Sequence, residues 1–113
     1  MKATSKKFAR KSPEKALIFG LAQSLILKGR VKTTFSRGRE ASNLTEKLIT
    51  LGKKETLSGQ RLLRRYLSDI AVKKIVKDLV PRYQERAGGY TRLIKLERRL
   101  SDGAEIVFIE LIQ

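Results

Sequence analysis

The sequence contains neither cysteine nor histidine, and these absences exclude several kinds of chemistry. Without cysteine there is no disulfide framework, no thiolate nucleophile and no thiolate metal ligand. Without histidine the chain lacks the usual general base near neutral pH and the commonest metal ligand. The carboxylates show no paired spacing, and neither GxxxxGK[ST] nor GxGxxG is present. We therefore expect no enzyme activity, no metal site and no cofactor.

Acidic residues are scarce as well. The 113 residues include 11 Asp and Glu against 26 Lys and Arg, which gives a net charge of +15 and a pI near 10.6. Such an excess of one sign destabilises a compact chain through self-repulsion, so an anionic partner is expected. Nucleic acid is the first candidate and an anionic membrane the second. Residues 1–39 hold 11 of the cations and only one acid.

Long apolar runs are also missing. The longest uncharged run, ALIFGLAQSLIL, has 12 residues and is shorter than the ~18 that a membrane-spanning helix needs. Behind the basic start of the chain it imitates a secretory signal, but no small-residue cleavage site follows it. We interpret the run as a helix of a soluble, cytoplasmic protein.

The chain divides into an N-terminal arm, residues 1–11, and one domain, residues 12–113. A length of 113 residues suits a single domain, and the 41% apolar content supports a modest core. The arm has no apolar periodicity and is predicted to be disordered on its own. It carries the cations Lys2, Lys6, Lys7, Arg10 and Lys11.

The remaining pattern predicts four helices and three strands. Ser12 caps a first helix that ends before Gly29, and RVKTTF forms a strand. Ser36 caps a second helix, a weaker third one surrounds Gly59, and a fourth ends at Pro81. Strands over 90–96 and 104–112 follow, joined by an Asp-Gly turn. This order predicts an α+β fold, a two-layer α-β-α(3)-β(2) domain with a small three-stranded mixed sheet.

Two stretches have the composition of a phosphate-binding surface. In VKTTFSRGR, cations alternate with hydroxyl side chains at a predicted helix start, where backbone N–H groups can also bind phosphate. In RAGGYTRLIK, two glycines permit close backbone approach between flanking arginines. The alternative is purely structural: strand residues, a helix cap and an ordinary turn. Basic residues also surround tyrosines in RRYL and PRYQER, where Tyr66 fits the core and Tyr83 fits either a core or a base-stacking role.

Four blocks in order, GRVKTT, EKLITLGKK, RAGGYTRLIKL and DGAEIVFIELI, resemble the bacterial large-subunit ribosomal protein family numbered seventeen. The similarity runs from about Leu17 to the C-terminus and implies the same α-β-α(3)-β(2) fold. It implies a structural, non-catalytic protein that binds large-subunit (23S) ribosomal RNA near the exit side of the peptide tunnel, beside other ribosomal proteins. The start, MKATSKKFARKSPEK, departs from the Arg/His-rich start common in the family, so contacts there do not carry over residue by residue.

These observations together predict an RNA-binding surface, with no membrane and no small-molecule substrate as partner. A stand-alone nucleic-acid chaperone and a membrane-surface protein are the alternatives. The predicted RNA-binding residues are Lys2, Lys6, Lys7, Arg10, Lys11, Lys15, Lys32, Thr33, Arg37, Arg39, Arg82, Arg86, Gly88, Gly89, Tyr90, Thr91 and Arg92.

Overall fold

The first helix begins and ends where its local sequence dictates. In a computed structural model, which describes residues 13–54, 57–98 and 101–113, α1 spans Pro13–Lys28. Proline opens the helix with its φ already near the helical value, and Lys28 lies at the negative end of the helix dipole. Gly29 follows with φ +83°, and its N–H donates to the Leu25 carbonyl at 2.7 Å. The predicted Ser12 cap lies outside the described residues.

The second helix begins two residues earlier than the sequence predicts. Helix α2 spans Phe35–Lys53, so Thr34, not Ser36, occupies the N-cap position with extended backbone angles. Ser36 lies inside the first turn because β1 leads into the helix without an intervening loop residue. Helix α3 spans Leu57–Tyr66.

The fourth helical segment contains a π-helical turn that the sequence pattern does not indicate. It consists of α4 (Asp69–Lys74), the π turn (Ile75–Leu79) and α5 (Val80–Arg82). Ser68 caps α4 by accepting from the Ala71 N–H at 3.3 Å. Pro81 does not end the segment, because it lies in the first turn of α5, where its missing N–H costs little.

The three strands form an antiparallel sheet in the order β1-β3-β2, so the predicted mixed sheet is wrong. The strands are β1 (Arg30–Thr34), β2 (Thr91–Arg98) and β3 (Glu105–Leu111). Strands β1 and β2 run in the same direction but never meet, because β3 lies between them and pairs antiparallel with both. A register irregularity interrupts the β2–β3 ladder between Lys95 and Arg98.

The core lies between the helices and one face of this sheet. Every second residue of β3, Val107, Ile109 and Leu111, is buried there against side chains of α1 and α2. Helix α2 approaches closely at Gly38, where an added Cβ would lie 2.9 Å from Val107 Cγ2. The sheet face formed by the intervening β3 residues is only half-buried.

For residues 13–54, 57–98 and 101–113, the α+β class, four helical segments and three strands are therefore confirmed, in the order α-β-α-α-α-β-β. Within the described residues, no helix combines the length and apolar character needed to cross a membrane. The boundary between arm and domain remains a prediction, since the arm lies outside the described residues.

Candidate nucleic-acid interface

The first predicted cluster lies at the corner where β1 enters α2. Lys32 is exposed on β1, Thr33 is half-buried beside it, and Arg37 and Arg39 are exposed on the first turns of α2. No ion pair connects Lys32, Arg37 or Arg39 to any carboxylate of the described residues. Three cations without an internal counter-charge at one corner are available to an external anion.

The start of α2 adds partial positive charge to this corner. Thr34 makes no side-chain hydrogen bond to the helix, and the first turn contains no acidic residue. The first backbone N–H groups of a helix have no partner within the helix, and the dipole of a 19-residue helix points its positive end here. Backbone donors and side-chain cations together form the arrangement that binds phosphate.

An open groove of about 890 Å³ continues from the corner along the sheet end. Strand β2 contributes Lys95 and Arg98 to it, both beside the register irregularity. Glu105 lies 3.5 Å from Lys95 Nζ and 3.9 Å from an Arg98 nitrogen, so these two cations are partly neutralised. The groove is lined by Lys32, Thr33, Thr34, Arg37, Lys95, Leu96, Glu97, Arg98 and Ile106.

The second predicted cluster, the glycine turn of residues 86–92, is tied to the fold by internal hydrogen bonds. Gly88 and Gly89 are exposed, and Gly89 has a positive φ of +65°. The Arg86 guanidinium donates to the Gly89 carbonyl at 3.3 Å, and the Lys53 ammonium donates to the Arg86 carbonyl. The turn therefore presents exposed backbone on a braced scaffold.

Three side chains of this turn serve the protein itself. Tyr90 lies in the core with 1% of its surface exposed, so its ring offers no open surface to RNA. The Thr91 hydroxyl donates to Glu46 at 2.9 Å and also contacts Ser42. Tyr90 precedes β2, which begins one residue later than the predicted strand over 90–96. Arg92 is exposed on the opposite face, where its Nε lies 2.5 Å from Glu110.

The remaining predicted residues are scattered. Lys15 is exposed on the first turn of α1, and Arg82 pairs with Asp78 at 2.8 Å near the end of α5. Tyr83 is buried, with its hydroxyl donating to the Ile112 carbonyl at 2.5 Å, which settles its open assignment in favour of the core. Lys2, Lys6, Lys7, Arg10 and Lys11 lie outside the described residues.

Sequence reasoning did not select Arg30 and Phe108, which lie on the helix-free face of the sheet. The Arg30 guanidinium carbon lies 3.7 Å from the centre of the Phe108 ring. Alternation along RVKTT places Arg30 on the same face as Lys32, and that signal was available in the sequence. The sequence does not indicate that β1 pairs with β3, and this pairing is what brings Arg30 to Phe108.

Comparison with known proteins identifies the family. The model of "Ribosomal protein L17" matches residues 17–112. "Large ribosomal subunit protein bL17" of Bdellovibrio bacteriovorus is 52% identical over 109 residues, which cover 95% of this chain and 60% of the longer relative. The bL17 proteins of Sulfurihydrogenibium sp. and Carboxydothermus hydrogenoformans are 43% and 41% identical, with 96% and 91% of this chain and 93% of each relative covered.

The family resemblance expected from the four sequence blocks is thus confirmed over nearly the whole described domain. The match includes the β1–α2 corner and the glycine turn, and it leaves out all the residues that precede α1 as well as the first turn of that helix. The chain belongs to the ribosomal protein L17 family, whose members are structural, non-enzymatic proteins of the large ribosomal subunit.

Proposed function

We propose that this chain binds large-subunit (23S) ribosomal RNA near the exit side of the peptide tunnel, next to other ribosomal proteins. Its role there is to stabilise folded RNA, in the cytoplasm where bacterial ribosomes act. The observation that carries the proposal is the β1–α2 corner of a chain from a ribosomal family. Lys32 and Arg37 line a groove beside an uncapped helix start, and Arg39 is exposed on the same helix. The position at the tunnel exit rests on the family resemblance alone.

Charge favours RNA as the ligand of this corner. A phosphate at the α2 start would meet backbone N–H donors and at least two cations without displacing an internal carboxylate. Contacts of this kind fix position and orientation on a nucleic acid and do not read sequence. A protein that holds RNA in place needs this type of contact.

The absence of cysteine permits a direct test. A single Arg37→Cys replacement creates a unique attachment point for an iron chelate, from which hydroxyl radicals cleave nearby RNA. Lys73→Cys is the matched control, because Lys73 is an exposed cation on α4, away from the corner. Each labelled protein is incorporated into ribosomes, and large subunits are isolated on a sucrose gradient before cleavage is induced.

We expect both proteins to sediment with the large subunit and position 37 to give the stronger cleavage, in 23S segments near the tunnel exit. Strong cleavage from position 73 with none from position 37 would contradict the corner as the binding site and indicate that the RNA lies on the helical side of the domain. Cleavage far from the exit would reject the location only. A chain that remains at the top of the gradient would contradict the ribosomal role and favour a stand-alone nucleic-acid chaperone.

A further inference from the structure

The helix-free face of the sheet carries two ordered rows of side chains across its strands. In the first row, Arg30 of β1 and Arg92 of β2 lie opposite Glu110 of β3. Glu110 contacts both, at 3.5 Å from Arg30 Nε and 2.5 Å from Arg92 Nε. In the second row, Phe108 lies between Lys32 and Ile94. We name these six residues the open sheet face.

The Glu110 carboxylate forms ion pairs with both arginines, and the arginine side chains remain largely exposed to solvent. The Glu110 side chain is 16% exposed, whereas those of Arg30 and Arg92 are 52% and 64% exposed. Arg30 also lies 3.7 Å above the Phe108 ring, so a planar cation covers an aromatic ring on the central strand. The result is a preformed pair of a guanidinium and an aromatic ring, in which the arginine side chain is half-exposed.

We propose that the open sheet face binds an unpaired nucleobase of RNA, which stacks on the Arg30–Phe108 pair. Lys32 and Arg92 flank this stack in the register of the sheet and contact the neighbouring phosphates. Unpaired bases stack on aromatic rings and on guanidinium planes, and exposed antiparallel sheets are a recurrent platform for them. This inference rests on the proposed function, since it adds a second mode of contact to an RNA-binding protein.

The excess of positive charge on this face favours RNA over an apolar protein surface as its partner. Three cations surround a single carboxylate, and that carboxylate is already used by two of them. An apolar protein surface would have to desolvate these exposed guanidinium groups without a counter-charge, which costs free energy. A nucleotide supplies both a flat ring and a phosphate, so it matches the row of cations and the stack together.

The experiment compares two single-stranded ribose-phosphate oligomers of equal length, an oligoadenylate and its abasic counterpart, by fluorescence anisotropy. Both carry the same charge, so their affinity ratio measures base stacking. The variants are Arg30→Lys, which keeps the charge but removes the plane, and Phe108→Leu, which keeps an apolar side chain. Arg61→Lys on α3 and Phe19→Leu on α1 make the same changes away from the open sheet face.

We expect the wild-type chain to prefer oligoadenylate by about 5- to 150-fold, the range for one stacked base. Arg30→Lys and Phe108→Leu should each lose most of that preference, and the two control variants should keep it. Equal affinity of the wild-type chain for both oligomers, or a preference that survives both variants, would overturn the inference. Equal losses in all four variants would also overturn it, because they would indicate a non-specific effect.

The melting temperature of each variant is measured, so that a loss of binding can be distinguished from a loss of folding. If Phe108→Leu melts well below the wild-type chain, Arg30→Lys alone decides the matter, since the exposed arginine contributes little to the core. Binding of the wild-type chain to isolated 23S RNA is measured in parallel. Failure to bind this RNA would reject the proposed function, whereas normal binding without a base preference would reject only the open sheet face.

Discussion

At the residue scale, two helical glycines show how differently the same residue type is used. Gly20 lies on α1 with no atom within 4 Å of the place where a Cβ would stand. Gly52 lies near the end of α2, where an added Cβ would come within 2.6 Å of Ile75 Cγ2 on the π turn. The absence of a side chain at Gly52 therefore lets the fourth helical segment pack against α2.

The first prediction is that alanine at these positions changes stability in opposite directions. Gly20→Ala should raise the free energy of unfolding by about 0.5–1 kcal/mol, because alanine is the better helix former. Gly52→Ala gains no more than this and loses about 1–3 kcal/mol through overpacking against buried Ile75, so it should destabilise. Urea unfolding of both variants measures the difference. If both variants are stabilised equally, the side chains around Ile75 can move to make room for the added Cβ with little loss of free energy.

At the element scale, local chemistry predicted the ends of α1, but it placed the α2 cap at Ser36 and the end of the fourth helix at Pro81. Pro13 and Lys28 bound α1, Gly29 has the expected positive φ, and Ser68 caps α4. These features depend on a few neighbouring residues, so the sequence alone indicates them. The π turn is different. It lies directly before the turn that contains Pro81, and its residue Ile75 packs against Gly52. Gly52 and Ile75 are 23 residues apart, so the local sequence does not indicate this contact.

The strand pairing and the internal partners of two predicted site residues could not be predicted, for the same reason. A mixed sheet was predicted because nothing in the alternation of RVKTT says which late strand it joins. Whether an exposed-looking residue is free also depends on partners distant in sequence. Thr91 binds Glu46, and Arg92 binds Glu110, neither of which is a neighbour along the chain. The cations of the β1–α2 corner were predictable because strand and helix follow directly upon each other.

The second prediction concerns Asp78, which connects α4, the π turn and α5. Its carboxylate lies 2.6 Å from Lys74 Nζ and 2.8 Å from an Arg82 nitrogen. The hydrogen bond from Lys74, together with the charge of Arg82, lowers the pKa of Asp78 below its ordinary value of 3.8. A carboxyl whose folded-state pKa is lowered stabilises the fold above its ordinary pKa. This contribution is lost as the pH falls through the folded-state value.

Asp78→Asn should therefore melt below the wild-type chain at pH 7, and the gap should close as the pH falls below 3.8. The effect should stay under about 1 kcal/mol, because the pairs are partly exposed and screened by solvent. Glu97→Gln is the control, since no described residue forms an ion pair with this exposed carboxylate. A gap that persists at low pH would show that the asparagine disturbs packing and that charge is not the cause.

At the scale of the whole molecule, the basic residues and the core are separated. The core side chains lie between residues 22 and 111, on the helical face of the sheet. The proposed RNA contacts occupy the β1–α2 corner, the exposed backbone of the glycine turn and the open sheet face. A net charge of +15 is thus compatible with a stable domain, because most of the repulsion is at the surface, where the proposed phosphate contacts would relieve it.

The last prediction separates the charge of the arm from its bulk. Deletion of residues 1–10 removes Lys2, Lys6, Lys7 and Arg10, and the described core lies entirely beyond them. The melting temperature should therefore change little. RNA affinity should still fall, and its log–log dependence on salt should flatten by about 0.9 per lost phosphate contact, a value borrowed from duplex DNA.

The matched control is a full-length chain in which the same four residues are glutamine. If the arm acts through charge, deletion and substitution should flatten the salt dependence equally, because both remove the same four cations. A larger loss of affinity on deletion alone would assign the contacts to the backbone or to Phe8. A marked fall in melting temperature on deletion would show that the arm packs on the domain. If neither variant changes the salt dependence, the arm does not bind phosphate, and the electrostatic contacts belong to Lys32–Arg39 and the open sheet face.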